Sequence, residues 1–357
     1  MGKALLQEFG MSTPSDRPIP ATPRRGWKRV LRILALVLLL AAGSLLVVHA
    51  SAWTSFPRLS PSVLPPAGEV LAGKAPFSFA YVADSRGNLD LLEAIFERVK
   101  ADRVRLVLAG GDLVVEPAAE DFEWLLHELE EAQLGMPFCA VAGNHDIRRE
   151  EADPAEQYRL YSRSFGPRQY WFACANTLFV ALDTATETCA ENDLKWLEQT
   201  LARYRGQYEA CIVYTHTPPH DPRQRRPCLK SGADDLQRIL NAHRVTALFA
   251  SHIHSYLEDK IGDVPVYISG GAGAGPDPPF TPHHYLLCTV EPGGALRVER
   301  KAVAANDTED YWEHKLLVKL PRRFSVLVML GLAGAGLVLL TIAATPWRRR
   351  APGNQGA

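Results

Sequence analysis

Aspartate, asparagine and histidine recur in this chain at the ends of short apolar runs. Phe79–Ala83 ends in Asp84, with Arg86 two residues on, and Val104–Ala109 ends in Gly110-Gly111-Asp112. Phe138–Ala142 ends in Gly143-Asn144-His145-Asp146, Cys211–Thr215 in His216, and Thr246–Ala250 in Ser251-His252-Ile253-His254. Oxygen and imidazole donors without a thiolate suit Mn, Fe or Zn. One carboxylate can bridge two cations about 3.5–4 Å apart, a pair that clamps a phosphoryl group and lowers the pKa of a bound water. Hydroxide held in that way attacks phosphorus in line, and a nearby histidine can protonate the departing oxygen.

Near-continuous apolar runs of this kind suit strands buried on both faces. Helical stripes lie between them: Leu91, Leu92, Ile95, Phe96 and Val99; Phe122, Leu125, Leu126 and Leu129; Leu194, Leu197 and Leu201. Alternating strand and helix implies a largely parallel sheet with helices packed outside. The stretches Gln169–Phe172 with Thr177–Leu182, and Tyr285–Val290 with Leu296–Lys301, read as hairpins added to it. In such α/β folds ligands collect beyond the carboxyl ends of the strands. Folding would therefore gather the Asp, Asn and His residues at one sheet edge.

Asp84-x-Arg86, Gly111-Asp112, Gly143-Asn144-His145-Asp146, His216 and His252-x-His254, in that order, resemble the motif series of the calcineurin-like metallophosphoesterase superfamily. The similarity runs from about Phe77 to Val303 and extends to Phe165-Gly166-Pro167, Leu182-Asp183-Thr184, Trp196-Leu197 and Ser269-Gly270-Gly271. The resemblance implies a four-layer α/β/β/α sandwich and a cofactor of two divalent or trivalent ions. It implies that Asp112 bridges them, that Asp84 and His254 complete the first ion's ligands, and that Asn144, His216 and His252 hold the second. His145 would then stand beside the leaving oxygen, as acid or as hydrogen-bond donor, and Asn144 would also face substrate.

Three positions depart from the family pattern. Arg86 stands where the family usually has a ligating His, so the first ion is weakly held, absent, or completed by another group. The planar fork of Arg86 is suited instead to a substrate phosphate. Val115 replaces an Asp of the protein phosphatase branch, which disfavours a Ser/Thr protein phosphatase. Ser251 replaces a usual Gly.

The chain has 357 residues, 47% of them hydrophobic and 22% charged, with 39 Lys+Arg against 40 Asp+Glu and a net charge of −1. That balance excludes a disordered chain and argues against a nucleic-acid binder, which needs surplus cations. Two apolar blocks flank the polar middle, and each is long enough for a membrane span of about 20 residues. Basic residues Arg24, Arg25, Lys28, Arg29 and Arg32 precede the first block, and Arg348, Arg349 and Arg350 follow the second. By the positive-inside rule both termini are cytoplasmic and the catalytic domain lies outside. Lys315, Lys319, Arg322 and Arg323 crowd the outer approach and disagree with that orientation. Ala50-Ser51-Ala52 offers the alternative of a cleaved signal peptide.

The expected organisation is a tail at 1–29, a transmembrane helix at 30–53, a linker at 54–76 and the phosphoesterase domain at 77–305. A juxtamembrane segment at 306–323, a second transmembrane helix at 324–346 and a tail at 347–357 follow. Small residues from Gly331 to Gly336 suit close helix pairing. Cys139, Cys174, Cys211 and Cys288 lie in strand-like runs, whereas Cys189 and Cys228 lie in polar loops and are the pair suited to a disulfide. Asn306-Asp307-Thr308 fits a glycosylation acceptor.

As isolated residues, Asp84 and Asp112 would read as caps or turns; the ordered series gives them a function instead. His127 and His243 read as surface residues, His220 as a rim residue at most, and His283 and His284 as structural. Arg223, Arg225 and Arg226 form a basic loop, either solvated or placed to attract an anionic headgroup. Trp171, Trp196 and Trp312 read as packing. The sequence thus points to a membrane-anchored, metal-dependent phosphoesterase acting on phosphate mono- or diesters, a lipid headgroup among the candidate substrates. The alternative is a phosphate-binding or sensing module of the same fold, impaired by Arg86.

Overall fold

The computed structural model describes residues 26–54, 64, 66–226, 228–278, 280–304 and 325–345. They form two compact units, one holding two apolar helices and one holding the mixed α/β domain. In the first unit, α1 (Gly26–Thr54) and a C-terminal helix (Ser325–Ala344) pair antiparallel. A Cβ on Gly336 would meet Leu39 Cγ at 2.9 Å and the Ala35 carbonyl at 3.2 Å, so the absent side chain sets the approach. Lys28 Nζ donates to the Thr345 carbonyl at 3.1 Å at the other end of the pair. Among the described residues, Gly26–Val47 is the stretch long and apolar enough to cross a membrane; Val328–Ala344 is a shorter apolar helix.

In the α/β unit the chain runs β1 (Val70–Leu71), β2 (Phe77–Val82), α2 (Leu89–Ala101), β3 (Val107–Ala109), α3 (Ala119–Glu131) and β4 (Phe138–Ala140). It continues through α4 (Pro154–Gln157), α5 (Arg159–Phe165), β5 (Tyr170–Cys174), β6 (Thr177–Ala181), α6 (Glu191–Tyr204), β7 (Ala210–Tyr214) and α7 (Ala233–Ala242). Five more strands close it: β8 (Ala247–Ala250), β9 (Tyr256–Ile261), β10 (Val264–Ser269), β11 (His284–Val290) and β12 (Leu296–Ala302), with β9–β10 and β11–β12 each forming a hairpin. The C-terminal helix is α8.

There are two sheets, as the family resemblance implies and as strand–helix alternation alone does not reveal. The first has the order β1-β5-β6-β7-β8-β10-β9 and the second β12-β11-β2-β3-β4. β2, β3 and β4 are mutually parallel, as are β6, β7, β8 and β10. The period-two alternation of strands explains the layering. Phe79 and Tyr81 of β2, Phe179 of β6, Ile212 and Tyr214 of β7 and Phe249 of β8 point between the sheets. Their neighbours Ala80 and Val82 face α2, α3 and α5, whereas Val180, Val213 and Leu248 face α6 and α7. The result is helix, sheet, sheet, helix.

Some finer expectations need correction. Residues 66–76 are not wholly linker: β1 pairs in parallel with β5, Val70 opposite Ala173. The β9–β10 hairpin carries no periodic apolar signal, because Glu258, Asp259 and Lys260 give its first strand a polar face. Cys189 and Cys228 are both free thiols. Burial raises each to about 12. Trp171 packs on Tyr204, with ring centroids 4.0 Å apart. Asn306, Trp312, Lys315, Lys319, Arg322, Arg323, Arg24, Arg25 and Arg348–Arg350 lie outside the described residues.

Phe79 is fully buried and packs edge-on against Phe179 and Phe249, at centroid distances of 5.3 and 5.9 Å. Phe79→Ala should therefore cost about 3–5 kcal/mol. For a domain of this size that is a fall of roughly 6–20 °C in Tm, read by thermal unfolding of the purified chain. A fall of less than about 3 °C would contradict the assignment of Phe79 to the central layer.

Candidate metal centre

Parallel strands of both sheets end at one edge, and the chain turns sharply as it leaves each of them. Asp84, Arg86, Asp112 and His252 all have left-handed backbones, with φ of 59°, 46°, 52° and 67°. Such conformations cost non-glycine residues about 1–3 kcal/mol each and persist where surrounding structure over-determines them. Hydrogen bonds supply that constraint. Asp84 N donates to Gly111 O at 3.0 Å and Arg86 N to Asp112 O at 2.9 Å. His252 N donates to Asp84 Oδ2 at 3.1 Å, tying the two sheets together.

Glycines make room for the approach. Gly111 has φ +90°, and a Cβ there would sit 2.7 Å from Gly143 N and 2.9 Å from His216 Nδ1. A Cβ on Gly143 would overlap the Asp112 backbone N and Oδ1. Asp146, the last residue of the Gly-Asn-His-Asp run, is buried and holds the turn. Its carboxylate accepts from Leu113 N at 2.9 Å, Val114 N at 3.1 Å and Gly143 N at 2.8 Å. Burial and then the nearby Asp112 charge push its carboxyl up to about 8.

The expected ligands fall into two groups that meet at Asp112. In the first, ligand atoms of Asp84, Asp112 and His254 lie within 4.8 Å of one another. His254 Nδ1 donates to Gly275 O at 2.9 Å, which leaves the Nε2 lone pair 3.6 Å from Asp84 Oδ1. Asp84 Oδ1 is buried and has no hydrogen-bond partner among the described residues. In the second, His216 Nδ1 faces Gly110 O at 2.9 Å and must donate to it. The lone pair of its Nε2 then points at Asp112 Oδ1 (3.4 Å), Asn144 Oδ1 (3.0 Å) and His252 Nδ1 (3.3 Å). His252 Nδ1 is itself 3.0 Å from Asn144 Oδ1.

Oxygen and nitrogen lone pairs thus converge with scarcely a proton to share among them. Electrostatics agree. Burial, then the Asp112 charge, raise the Asp84 carboxyl well above its ordinary range. Burial also works against an ionised Asp112, but His216, His145 and Arg86 outweigh it and hold that carboxyl low. Burial and neighbouring His216 pull His252 down to about 4, and burial lowers His254. An orphaned buried oxygen and pre-oriented imidazoles, with His252 and His254 held low, are what a divalent cation needs, so this donor set fits the expected metal.

Arg86 takes no part in either ligand group. Its Nη2 lies 2.9 Å from His145 Nδ1 and 2.6 Å from Nε2. Because His145 Nδ1 is also 2.9 Å from Val115 O, to which it donates, Nε2 is the atom that accepts from the guanidinium. His145 N donates to Asp112 Oδ1 at 2.9 Å, so the ring is anchored to the centre it flanks.

The remaining candidates sort as follows. His127 pairs with Glu131 on the surface, His243 caps α7, and His220 pairs with Asp259 at 2.6 Å. His283 Nδ1 donates to Gly271 O at 3.2 Å. Most of the basic loop is not free to attract anions. Arg223 is spent on Asp221, and Arg226 makes a bidentate pair with Asp277, whose Oδ2 also accepts from His254 N at 3.3 Å. Sequence reading missed Asp146, Asp277 and Glu187. Only Asp146 carried a signal, its place in the motif.

The calcineurin-like phosphoesterase family model matches residues 77–256. A probable cyclic nucleotide phosphodiesterase of Fibrobacter succinogenes is 23% identical over 212 residues, which are 57% of this chain and 73% of the relative. A probable cyclic nucleotide phosphodiesterase of Moraxella catarrhalis is 27% identical over 139 residues, 35% of this chain and 48% of the relative. Among solved structures, a purple acid phosphatase from yellow lupin (Lupinus luteus) seeds superposes with a TM-score of 0.53 at 14% identity. That match covers 65% of this chain and 52% of the lupin chain, and at such identity the likeness is one of fold.

Two outcomes follow from this geometry. Gly143→Ala should weaken metal binding at least tenfold, measured by competition with a chelator, because the turn and Asp112 cannot both keep their places. His284, buried with Nδ1 donating to Pro282 O at 2.8 Å, is pulled down to about 4 by burial. Below its unfolded value of about 6.5, the unfolded chain takes up a proton that the native ring refuses. Stability is therefore lost as pH falls from 6.5 towards 4, by about 2 kcal/mol between pH 7 and 5. His284→Gln should remove that part of the fall in Tm, and an unchanged pH profile would refute the assignment.

Proposed function

Because the chain belongs to the calcineurin-like phosphoesterase family, whose chemistry is metal-dependent phosphoester hydrolysis, we propose that it is a membrane-anchored hydrolase of phosphate esters, with diesters as its leading substrate class. The observation that supports this reading is the pair of ligand groups meeting at Asp112, each completed by an imidazole whose far nitrogen is tied to a backbone carbonyl or to the site. The names of the Fibrobacter and Moraxella relatives favour the diester. The apolar length of α1 supports the anchor, its antiparallel pairing with α8 supports a two-pass hairpin with both termini on one side, and the flanking arginines favour the cytoplasmic side. A lipid headgroup is the second substrate candidate that such an anchor suggests.

Asp84, Asp112 and His254 would hold one ion, and Asp112, Asn144, His216 and His252 the other; Mn, Fe and Zn all suit these donors. A metal held there would supply a water of lowered pKa and neutralise charge on the phosphoryl group. The chain's own residues do the rest. Arg86 would turn its guanidinium to a non-bridging phosphoryl oxygen, freeing the His145 Nε2 that accepts from it in this structure to take up a proton and donate it. His145, fixed by Val115 O and by its own backbone bond to Asp112, would stand at the leaving oxygen. Asn144, part-exposed, would bind substrate beside the centre. Because Arg86 adds positive charge where the family usually supplies a ligand, the Asp84 and His254 half would bind its ion more weakly than the other.

Metal analysis and hydrolysis by the purified chain test this, using bis(4-nitrophenyl) phosphate and 4-nitrophenyl phosphate with added Mn. We expect one tightly held ion, a second that exchanges freely, and turnover of the diester that falls at least a thousandfold in Asp112→Asn. Arg86→His should tighten the weak ion at least tenfold and cost turnover. A folded chain that binds no metal and cleaves neither ester would overturn the reading in favour of a phosphate-binding module.

A further inference from the structure

Two loops that leave the metal centre each send a cation to one carboxylate. Arg149 lies four residues beyond His145, and its Nη1 is 2.8 Å from Glu187 Oε1. Lys230 follows the His216 loop, and its Nζ is 2.6 Å from Glu187 Oε2. The Lys230 backbone N donates to Glu187 O at 2.8 Å, and Leu229 N donates to Pro218 O at 3.1 Å, so this loop is fixed along its length.

Glu187 is itself held firmly. It is 8% exposed, has a left-handed backbone at φ 61°, and its N donates to Thr184 O at 2.9 Å. Thr184 Oγ1 accepts from Thr217 N at 2.8 Å, directly after His216. Glu187 is thereby tied through Thr184 to the turn that carries His216. Burial disfavours its ionised form, yet Lys230 and Arg149 outweigh that and keep it low.

The charge count is what calls for an occupant. One buried carboxylate meets two cations, and the two side chains are 42% and 59% exposed. Among the described residues neither side chain makes another hydrogen bond or ion pair. A salt bridge built for stability alone would need only one of them, and exposed pairs contribute little. Two cations pre-oriented on a strained, buried residue beside a phosphoester site instead leave one positive charge and several N–H donors turned to solvent.

We propose that Arg149 and Lys230, set by Glu187, form a subsite for a second anionic group of the substrate, a phosphate or carboxylate remote from the ester being cleaved. This rests on the phosphoesterase reading above and narrows it to substrates carrying two anionic groups. Arg149 and Lys230 bind that group, and Glu187 is a positioning residue.

The test uses the full chain, loaded with Mn, and three 4-nitrophenyl phosphodiesters that share a leaving group. Their second ester arm ends in a carboxylate, a phosphate or a neutral amide. We expect kcat/KM for at least one anionic arm to exceed that for the amide arm tenfold or more, mainly through KM. Arg149→Gln and Lys230→Gln should each bring the ratio to threefold or less, and Arg149→Lys should keep most of it. A parent ratio near one, or a ratio that survives the Arg149→Gln/Lys230→Gln double variant, overturns the subsite. The better of the two anionic arms identifies the group. Calorimetric binding of the same esters to the Asp112→Asn chain needs no turnover, so it separates the two readings. If the parent cleaves none of the esters, the phosphoesterase reading falls, and equal binding of anionic and amide arms then sinks the subsite as well.

Discussion

Two carboxylates, Asp84 and Asp112, are buried side by side with three imidazoles and an amide oxygen, and almost none of these groups has a proton to offer another. Left to itself, such a cluster is among the costlier things a fold can enclose, since buried charge and unpaired lone pairs each carry a desolvation penalty. Most of the local structure exists to hold it together. His216 and His254 are turned inward because backbone carbonyls occupy their Nδ1 atoms. Asp146 spends its carboxylate on three backbone N–H groups so that the Gly143 turn can lie against Asp112. Four left-handed backbones and the missing side chains of Gly111 and Gly143 let strand ends approach closer than ordinary turns would.

The two-sheet architecture is what makes that convergence affordable. β2, β3 and β4 deliver Asp84, Asp112 and the Asn144 turn from one sheet, and β7 and β8 deliver His216 and His252 from the other. Aromatic side chains between the sheets, Phe79, Tyr81, Phe179, Tyr214 and Phe249, fix their separation. The bond from His252 N to Asp84 Oδ2 then crosses from sheet to sheet at the site itself. A strained centre of this kind can persist because the apolar layers on either side over-determine it.

This arrangement explains which parts were legible in the sequence. Strands with both faces buried leave uninterrupted apolar runs, and the ligand follows each run at once, so β2, β3, β4, β7 and β8 and their terminal residues could be read directly. The helices α2, α3 and α6 announced themselves by single apolar stripes. That the strands divide into two sheets was not in the alternation itself; it came with the family resemblance. β1 has two residues, and β9 wears a polar face, so neither has a periodic signal. The partners of charged residues were hidden for a different reason. Arg226 and Asp277 are 51 positions apart, Arg149 and Glu187 38, and no local pattern joins them. The expected Cys189–Cys228 bridge failed likewise: loop polarity suggested accessible thiols, whereas Cys189 packs with Leu236 and Leu240 on the outer face of the first sheet.

Arg86 carries the most consequential departure, and its effect is best judged by what it does to its neighbours. A histidine there would add a neutral donor to Asp84 and His254. The guanidinium adds a permanent positive charge that favours both carboxylates, and it occupies the one nitrogen of His145 not already committed to Val115 O. The residue expected to serve the leaving oxygen is therefore joined to a donor that can serve the phosphoryl oxygens. Part of the positive charge at the centre is thereby supplied by the protein itself, fixed in place and independent of metal supply. The planar donor placed on the Asp84 side is suited to orienting a tetrahedral anion.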